Sequence, residues 1–114
     1  MTAVRVFGVT GWKNAGKTTL VERLVAEFTS RGWRVSTIKH AHHDVDIDRS
    51  GTDSFRHRAA GATEVALVGG QRYAIMREAA SPSLSDVVAR LSPCDIVLVE
   101  GYKREPHAKI EVRA

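Results

Sequence analysis

Cysteine is almost absent: Cys94 is the single one in 114 residues. One cysteine excludes an internal disulfide, and such usage fits a reducing, cytoplasmic setting. Because Cys94 precedes an apolar stretch, its thiol reads as a packing group and not as a nucleophile. Long apolar runs are missing too. None approaches the roughly 18 residues of a membrane span, so no transmembrane helix and no membrane partner are expected. A strand pattern begins within the first few residues, which leaves no room for a secretion signal. Aromatic residues make up 6% of the chain and never interleave with a basic run. The excess of 17 Lys and Arg over 13 Asp and Glu therefore does not read as a nucleic-acid surface. Proline is scarce, and no linker, repeat or low-complexity tract is visible. With 43% hydrophobic residues, residues 1–114 predict a single domain around one core.

Residues 11–18 read Gly-Trp-Lys-Asn-Ala-Gly-Lys-Thr, a complete G-x-x-x-x-G-K-[ST] phosphate-binding loop. The apolar, β-prone segment 4–9 precedes it. After it, Leu20, Val21, Leu24, Val25 and Phe28 fall on one helical stripe. Strand, glycine loop and helix form the context that this motif requires. Gly11 and Gly16 allow the backbone to turn tightly and to approach phosphate oxygens, which a Cβ would hinder. Trp12, Lys13, Asn14 and Ala15 complete the loop, whose N–H groups would line an anion-sized concavity at the positive end of the next helix. Lys17 would reach the outer phosphates, the Thr18 hydroxyl is suited to Mg²⁺, and Thr19 would add a contact to the inner phosphate. The plainer alternative is a glycine-rich turn that opens an ordinary helix.

Gly32 is expected to stop that helix. Residues 34–39 read as a second strand, 40–54 as a long polar loop, and 54–60 as a short helix ended by Gly61. Two strands, 64–68 and 73–77, flank Gly-Gly-Gln-Arg as a hairpin. Ser81 before Pro82 reads as the cap of a third helix, with Leu84, Val87, Val88 and Leu91 on its buried face. Residues 95–100 form a near-continuous apolar strand, as at the centre of a parallel sheet, and 109–112 begin another strand. Alternating strands and helices predict an α/β fold of the P-loop NTPase type: a three-layer sandwich with a mostly parallel sheet and a β-hairpin.

The central strand ends in Glu100-Gly101. Beside a phosphate loop, such a strand end delivers a carboxylate toward Mg²⁺ or the attacking water. Here it carries Glu, one methylene longer than the usual Asp. The alternative is a buried strand that ends in a solvated carboxylate. Asp95, at the opposite end, should lie far from the phosphates. Residues 40–48 hold three His and three Asp: His40, His42, His43, Asp44, Asp46 and Asp48. At the carboxyl edge of the sheet, where ligands of open α/β sheets bind, they could hold a transition metal. They could equally place Asp44 on the Mg²⁺ shell and His on a substrate, or be a solvated loop. A segment that orders on ligand binding is the expectation. Asp53 follows, and Arg56 and Arg58, two apart, should splay so that one faces an anionic ligand. A solvated basic helix is the alternative. Asp48-Arg49-Ser50-Gly51 matches D-x-x-G, but no apolar strand precedes it.

These segments together carry a resemblance. Gly-Trp-Lys-Asn-Ala-Gly-Lys-Thr-Thr-Leu, Ile-Lys-His-Ala-His-His-Asp, Gly-Thr-Asp-Ser-Phe-Arg-His-Arg-Ala-Ala-Gly-Ala, Val-Glu-Gly-Tyr-Lys and Lys-Ile-Glu-Val-Arg occur in this order. In order and spacing the chain resembles the molybdopterin-guanine dinucleotide biosynthesis protein B family along nearly its whole length. The resemblance implies a cytoplasmic, often dimeric GTP-binding protein with weak GTPase activity. Such a protein would assist the guanylyltransferase that joins GMP to molybdenum-bound molybdopterin. On that footing residues 11–19 hold the triphosphate, Lys17 and Glu100 act on the phosphoryl group and its water, and Thr18 and Glu100 serve Mg²⁺. Residues 40–58 would handle a pterin, a partner or the water.

Members of that family usually continue past Lys-Ile-Glu-Val-Arg, so a C-terminal portion with guanine contacts and a sheet edge is expected to be missing. The base-reading Asn-Lys-x-Asp of common GTPases has no counterpart, since Asn14 is the sole Asn. Lys13 does not directly follow Gly11, so the signature-lysine loop that acts across a dimer is not matched. Two other classes stay open. One is a small-molecule kinase, with Arg56 or Arg58 clamping phosphates. The other is a metal-delivery GTPase that uses His40, His42 and His43.

Overall fold

The computed structural model describes residues 4–12, 15–41 and 53–113. The elements, in order, are β1 (Arg5–Gly11), α1 (Lys17–Ser30), β2 (Val35–Lys39), α2 (Asp53–Ala59), β3 (Glu64–Val68), β4 (Tyr73–Arg77), α3 (Leu84–Arg90), β5 (Ile96–Glu100) and β6 (Ala108–Val112). They gather into two compact units, residues 42–82 and the remainder.

The larger unit is built on a sheet of order β2-β5-β1-β6, in which every pairing is parallel. The Ile-Val-Leu-Val-Glu run of β5 is buried at every position, as its lack of polar alternation predicts for a strand covered on both faces. Side chains alternate across the sheet. Val97 and Val99 join Ile38 and Leu84 in the core, with Val6, Val87, Val88, Leu91 and Cys94 packed against them. That is the α3 face, and Cys94 takes the packing role expected of it. Val9, Ile96 and Leu98 are buried on the opposite face, where α1 meets β1, β2 and β5. The expected α1 stripe is half-buried at Leu20, Val21, Leu24, Val25 and Phe28, while Glu22, Arg23, Ala26 and Glu27 are exposed. Each fully buried Val or Leu contributes about 1.5–3 kcal/mol. Leu98, Val9, Val97 and Val99 are the largest fully buried side chains among the described residues, so β5 and its neighbour β1 carry the centre of the core.

The smaller unit is α2 with the antiparallel hairpin β3–β4, where Glu64 lies opposite Arg77 and Val68 opposite Tyr73. Arg77 closes on Glu64 at 3.1 Å. The α/β class, the mostly parallel sheet and the hairpin agree with the sequence pattern. The cap of α3 does not. The cap is Ser83, whose hydroxyl accepts from the Asp86 N–H at 3.1 Å, and not Ser81. A residue whose side chain caps a helix typically has an extended backbone. Ser83 has it (φ −77°, ψ 157°), whereas Ser81 has φ 46°.

The crossing from β5 to β6 is unusually short. Parallel strands are commonly joined by about a dozen residues or more, yet residues 101–107 pass from β5 beyond β1 to β6 without a helix. The path depends on Gly8. A Cβ there would lie 2.4 Å from His107 Nε2 and 3.1 Å from Lys109 Cβ. The ring of His107 thus occupies the space a side chain on β1 would take. Both its nitrogens are shielded from solvent with no hydrogen-bond partner among the described residues. Burial holds the His107 pKa below its ordinary 6.5, the Lys109 ammonium adds to the effect, and Glu105 opposes it.

Gly8→Ala should therefore destabilise the protein by about 1–3 kcal/mol, the usual cost of overpacking, read as a lower urea midpoint. In the Gly8→Ala background, His107→Ala should cost less than it does in the wild-type chain. Additive costs would show that the two residues do not share this space.

Candidate functional site

The first strand, loop and helix define one wall of the site. β1 ends at Gly11, and α1 starts at Lys17 with Gly16 as its N-cap. Gly11 has φ 149°, and a Cβ on it would meet the Val112 carbonyl oxygen at 2.4 Å. The close approach of β6 thus demands glycine at this position in addition to any ligand. The Ala15 N–H donates to the Trp12 carbonyl at 3.1 Å, and Trp12 is 82% exposed. The first N–H groups of a helix have no acceptor within it and sit at the positive end of its dipole. Lys17 is half-buried there, whereas Thr18 and Thr19 are exposed.

The second wall is the end of β5. Its parallel register places Glu100 opposite Val9 of β1 and opposite Lys39 of β2. Glu100 is a buried charged residue, 6% exposed. The Thr18 hydroxyl donates to its Oε1 at 2.6 Å, and Lys39 Nζ lies 3.4 Å from its Oε2. A buried carboxylate is costly unless paired and hydrogen-bonded, and here each oxygen has its own partner. At the far end of β5, Asp95 accepts from the Arg34 N–H at 2.6 Å. At ~3.3 Å per residue, the strand separates the two carboxylates by roughly 16 Å.

On the other face of the sheet, His40 grips the same strand end. Its N–H donates to the Glu100 carbonyl at 2.9 Å. Its ring stacks on Tyr102 at 4.0 Å, with 12° between the planes. Gly101 has φ 101°, a conformation open to glycine, and a Cβ there would come within 3.0 Å of His40 Cβ. Tyr102 follows at φ 53°, where a bulky side chain is strained. Burial is the main cause that raises the pKa of its phenol, with Glu105 second.

The structure thus brings Thr18 and Glu100 together beside the loop that carries Lys17. Other sequence candidates have other partners, belong to the smaller unit or fall outside the described residues. His40 is committed to Tyr102, and no group of three or more His, Cys, Asp or Glu converges among the described residues. Arg56 is exposed. Arg58 lies over the Phe55 ring at 5.1 Å and reaches Glu78 at 3.4 Å. Asp53 opens α2 in the smaller unit. Lys13, Asn14, His42, His43, Asp44, Asp46 and Asp48 lie outside the described residues. Lys39, missed by motif reading, ends a strand at the sheet edge where ligands bind. That position is its one sequence signal.

The donor set suits a hard cation. A hydroxyl oxygen and a carboxylate oxygen are the ligands Mg²⁺ takes, alongside water and phosphate. Comparison with known proteins agrees with the fold and the motifs. The family model described as molybdopterin guanine dinucleotide synthesis protein B matches residues 6–114. The chain belongs to that family. A Haemophilus influenzae relative, named molybdopterin-guanine dinucleotide biosynthesis adapter protein, is 44% identical over 110 residues, covering 94% of this chain and 62% of its own. The Escherichia coli protein of the same name is 39% identical, covering 96% of this chain and 65% of its own. The chain therefore spans under two thirds of the length of these relatives. Among solved structures, Bacillus subtilis MobB superimposes with a TM-score of 0.78 at 27% identity, over 96% of this chain and 68% of that one. A MobB homolog from Bacillus stearothermophilus gives 0.69 at 35% identity, over 94% and 62%. No helix among the described residues is long and apolar enough to cross a membrane.

The stack and the strain at Tyr102 make opposing contributions, and substitution separates them. Tyr102→Ala should lose the stack, worth about 0.5–1.5 kcal/mol, and keep the left-handed backbone strain. Tyr102→Gly should lose the stack but relieve roughly 1 kcal/mol of strain. Chemical denaturation should rank both wild type and Gly above Ala. Ala at or above Gly would show that the backbone at 102 is not strained.

Proposed function

We propose that this chain binds GTP with Mg²⁺ at residues 11–19, hydrolyses it slowly, and acts as an adapter in molybdopterin-guanine dinucleotide biosynthesis. The observation that carries the reading is the 2.6 Å contact between Thr18 and Glu100. It unites the metal-directed hydroxyl of the phosphate loop with the buried carboxylate of the adjacent strand. The names of the relatives supply the pathway. Guanine preference rests on the family resemblance, since no base-reading motif is present.

The chemistry at the site follows from charge placement. Lys17 and the first N–H groups of α1 would bind the outer phosphates and stabilise charge that develops on the transferred phosphoryl group. Bound Mg²⁺ would neutralise phosphate charge and orient the triphosphate. Thr18 and Glu100 are the residues that would hold it. Glu100 would act directly or through a water that it orients for in-line attack. Hydrolysis is expected to be slow. The sequence offers no evident arginine finger, and no glutamine stands beside the loop in sequence to position water. Lys13, Asn14, Asp44 and the residues of the 40–58 segment remain candidates for ligand, pterin or partner contacts.

The partner reading is a guanylyltransferase that joins GMP to molybdopterin, with this chain as its nucleotide-loaded adapter. Homodimerisation is supported by the hairpin. Val68, Tyr73 and Ile75 are 81%, 70% and 61% exposed, more apolar side-chain surface than a short hairpin ordinarily leaves in water. Sedimentation equilibrium should then give twice the mass of the monomer, and Tyr73→Lys with Ile75→Lys should return it to the monomer. A wild-type monomer at micromolar concentration would remove this part of the reading.

The nucleotide site is tested by titrating non-hydrolysable GTP and ATP analogues with Mg²⁺, following heat or the fluorescence of Trp12 in a Trp33→Phe background. GTP should bind ahead of ATP. Lys17→Ala should weaken binding by about 30-fold or more, equivalent to roughly 2 kcal/mol or more for a lost charge-assisted contact. Unchanged affinity in that variant would sink the site assignment, and preference for ATP would favour the small-molecule kinase.

A further inference from the structure

We propose that Lys39 is a tethered counter-ion of Glu100, which a divalent cation must displace, and that it thereby sets the Mg²⁺ concentration at which the nucleotide site fills. The inference rests on the proposed function and adds a residue that the phosphate-loop motif does not contain.

Geometry fixes the pairing from the backbone outward. Lys39 is the last residue of β2 and lies directly opposite Glu100 in the parallel ladder. The following N–H, that of His40, bonds to the Glu100 carbonyl at 2.9 Å. The stack of His40 on Tyr102 closes the other face. The start of the Lys39 side chain is thus held beside the carboxylate, and its Nζ reaches Oε2 at 3.4 Å. The opposite oxygen accepts from Thr18. No oxygen of Glu100 is left without a partner from the chain itself.

Burial makes the pairing asymmetric. The Glu100 side chain is 8% exposed, whereas that of Lys39 is 71% exposed. The carboxylate needs a positive neighbour because it has little water. The ammonium needs none, since it can return to solvent by rotating its stem. A divalent cation that approaches Glu100 supplies more charge to the same oxygens and repels the ammonium across a few ångströms. Lys39 would then swing into water at little cost. Because one partner is solvated, the competition is modest, on the scale of an exposed ion pair.

The sign distinguishes this role from two others. A lysine that grips the nucleotide phosphates would weaken binding when removed. A lysine that only packs its stem would leave the metal requirement unchanged. A competing counter-ion lowers the requirement when its charge is lost and maintains it when its charge is kept.

The experiment titrates Mg²⁺ against the full chain with a fixed concentration of a fluorescent non-hydrolysable GTP analogue. It compares wild type, Lys39→Met, Lys39→Gln and Lys39→Arg, each first shown to melt cooperatively. Half-saturating Mg²⁺ should fall by about two- to fivefold in the Met and Gln variants and stay near the wild-type value in the Arg variant. An unchanged or higher requirement in both neutral variants would overturn the proposal while leaving nucleotide binding intact. No analogue binding by folded wild-type protein at any Mg²⁺ concentration would overturn the proposed function and this inference together.

Discussion

The parallel pairing of β5 between β2 and β1 is the constraint on which the site depends. β5 offers four apolar side chains and one carboxylate, all buried. Its register against β1 brings Glu100 level with Val9, just before the phosphate loop. Its register against β2 brings Lys39 level with the same carboxylate. A shift of one residue in either ladder would move Glu100 to the α3 face, away from Thr18. The burial that stabilises β5 therefore also aims its one charge.

A charged residue at the end of a buried strand makes demands on its surroundings. Thr18 and Lys39 meet them on one face of the sheet. On the other face, His40 and Tyr102 secure the turn that leads the chain away. That turn uses two consecutive residues of positive φ, Gly101 and Tyr102. Backbone strain of this kind persists where surrounding contacts over-determine it, and here the stack and the core packing of Tyr102 supply them. The short crossing that follows draws His107 over Gly8 and sets β6 against the far edge of β1. The loop, the carboxylate and the crossing are thus parts of one packing solution around β1 and β5.

Much of this was legible in the sequence where the signal was local. The hairpin strands 64–68 and 73–77 are readable because short apolar runs and the glycine-rich turn between them act over a few residues. The α1 stripe was readable from its 3.6-residue period. The cap of α3 was misread at Ser81 because proline context suggested a helix start, whereas the hydroxyl geometry at Ser83 decided it. The histidines at 40–43 looked like a cluster by proximity in sequence. Yet His40, the one among the described residues, turns to Tyr102, whose position depends on a strand sixty residues later.

The sequence alone determined the G-x-x-x-x-G-K-T motif, the alternating strands and helices, the family and the identity of the carboxylate at the end of the central strand. Each depends on residue type and short-range spacing. Only the tertiary structure decided that Lys39 faces Glu100, that His40 stacks on Tyr102, and that Gly8 and Gly11 make room for His107 and the β6 backbone. Those facts follow from strand order and register. Strand order and register are set by how the whole core packs and by no local preference of the residues concerned.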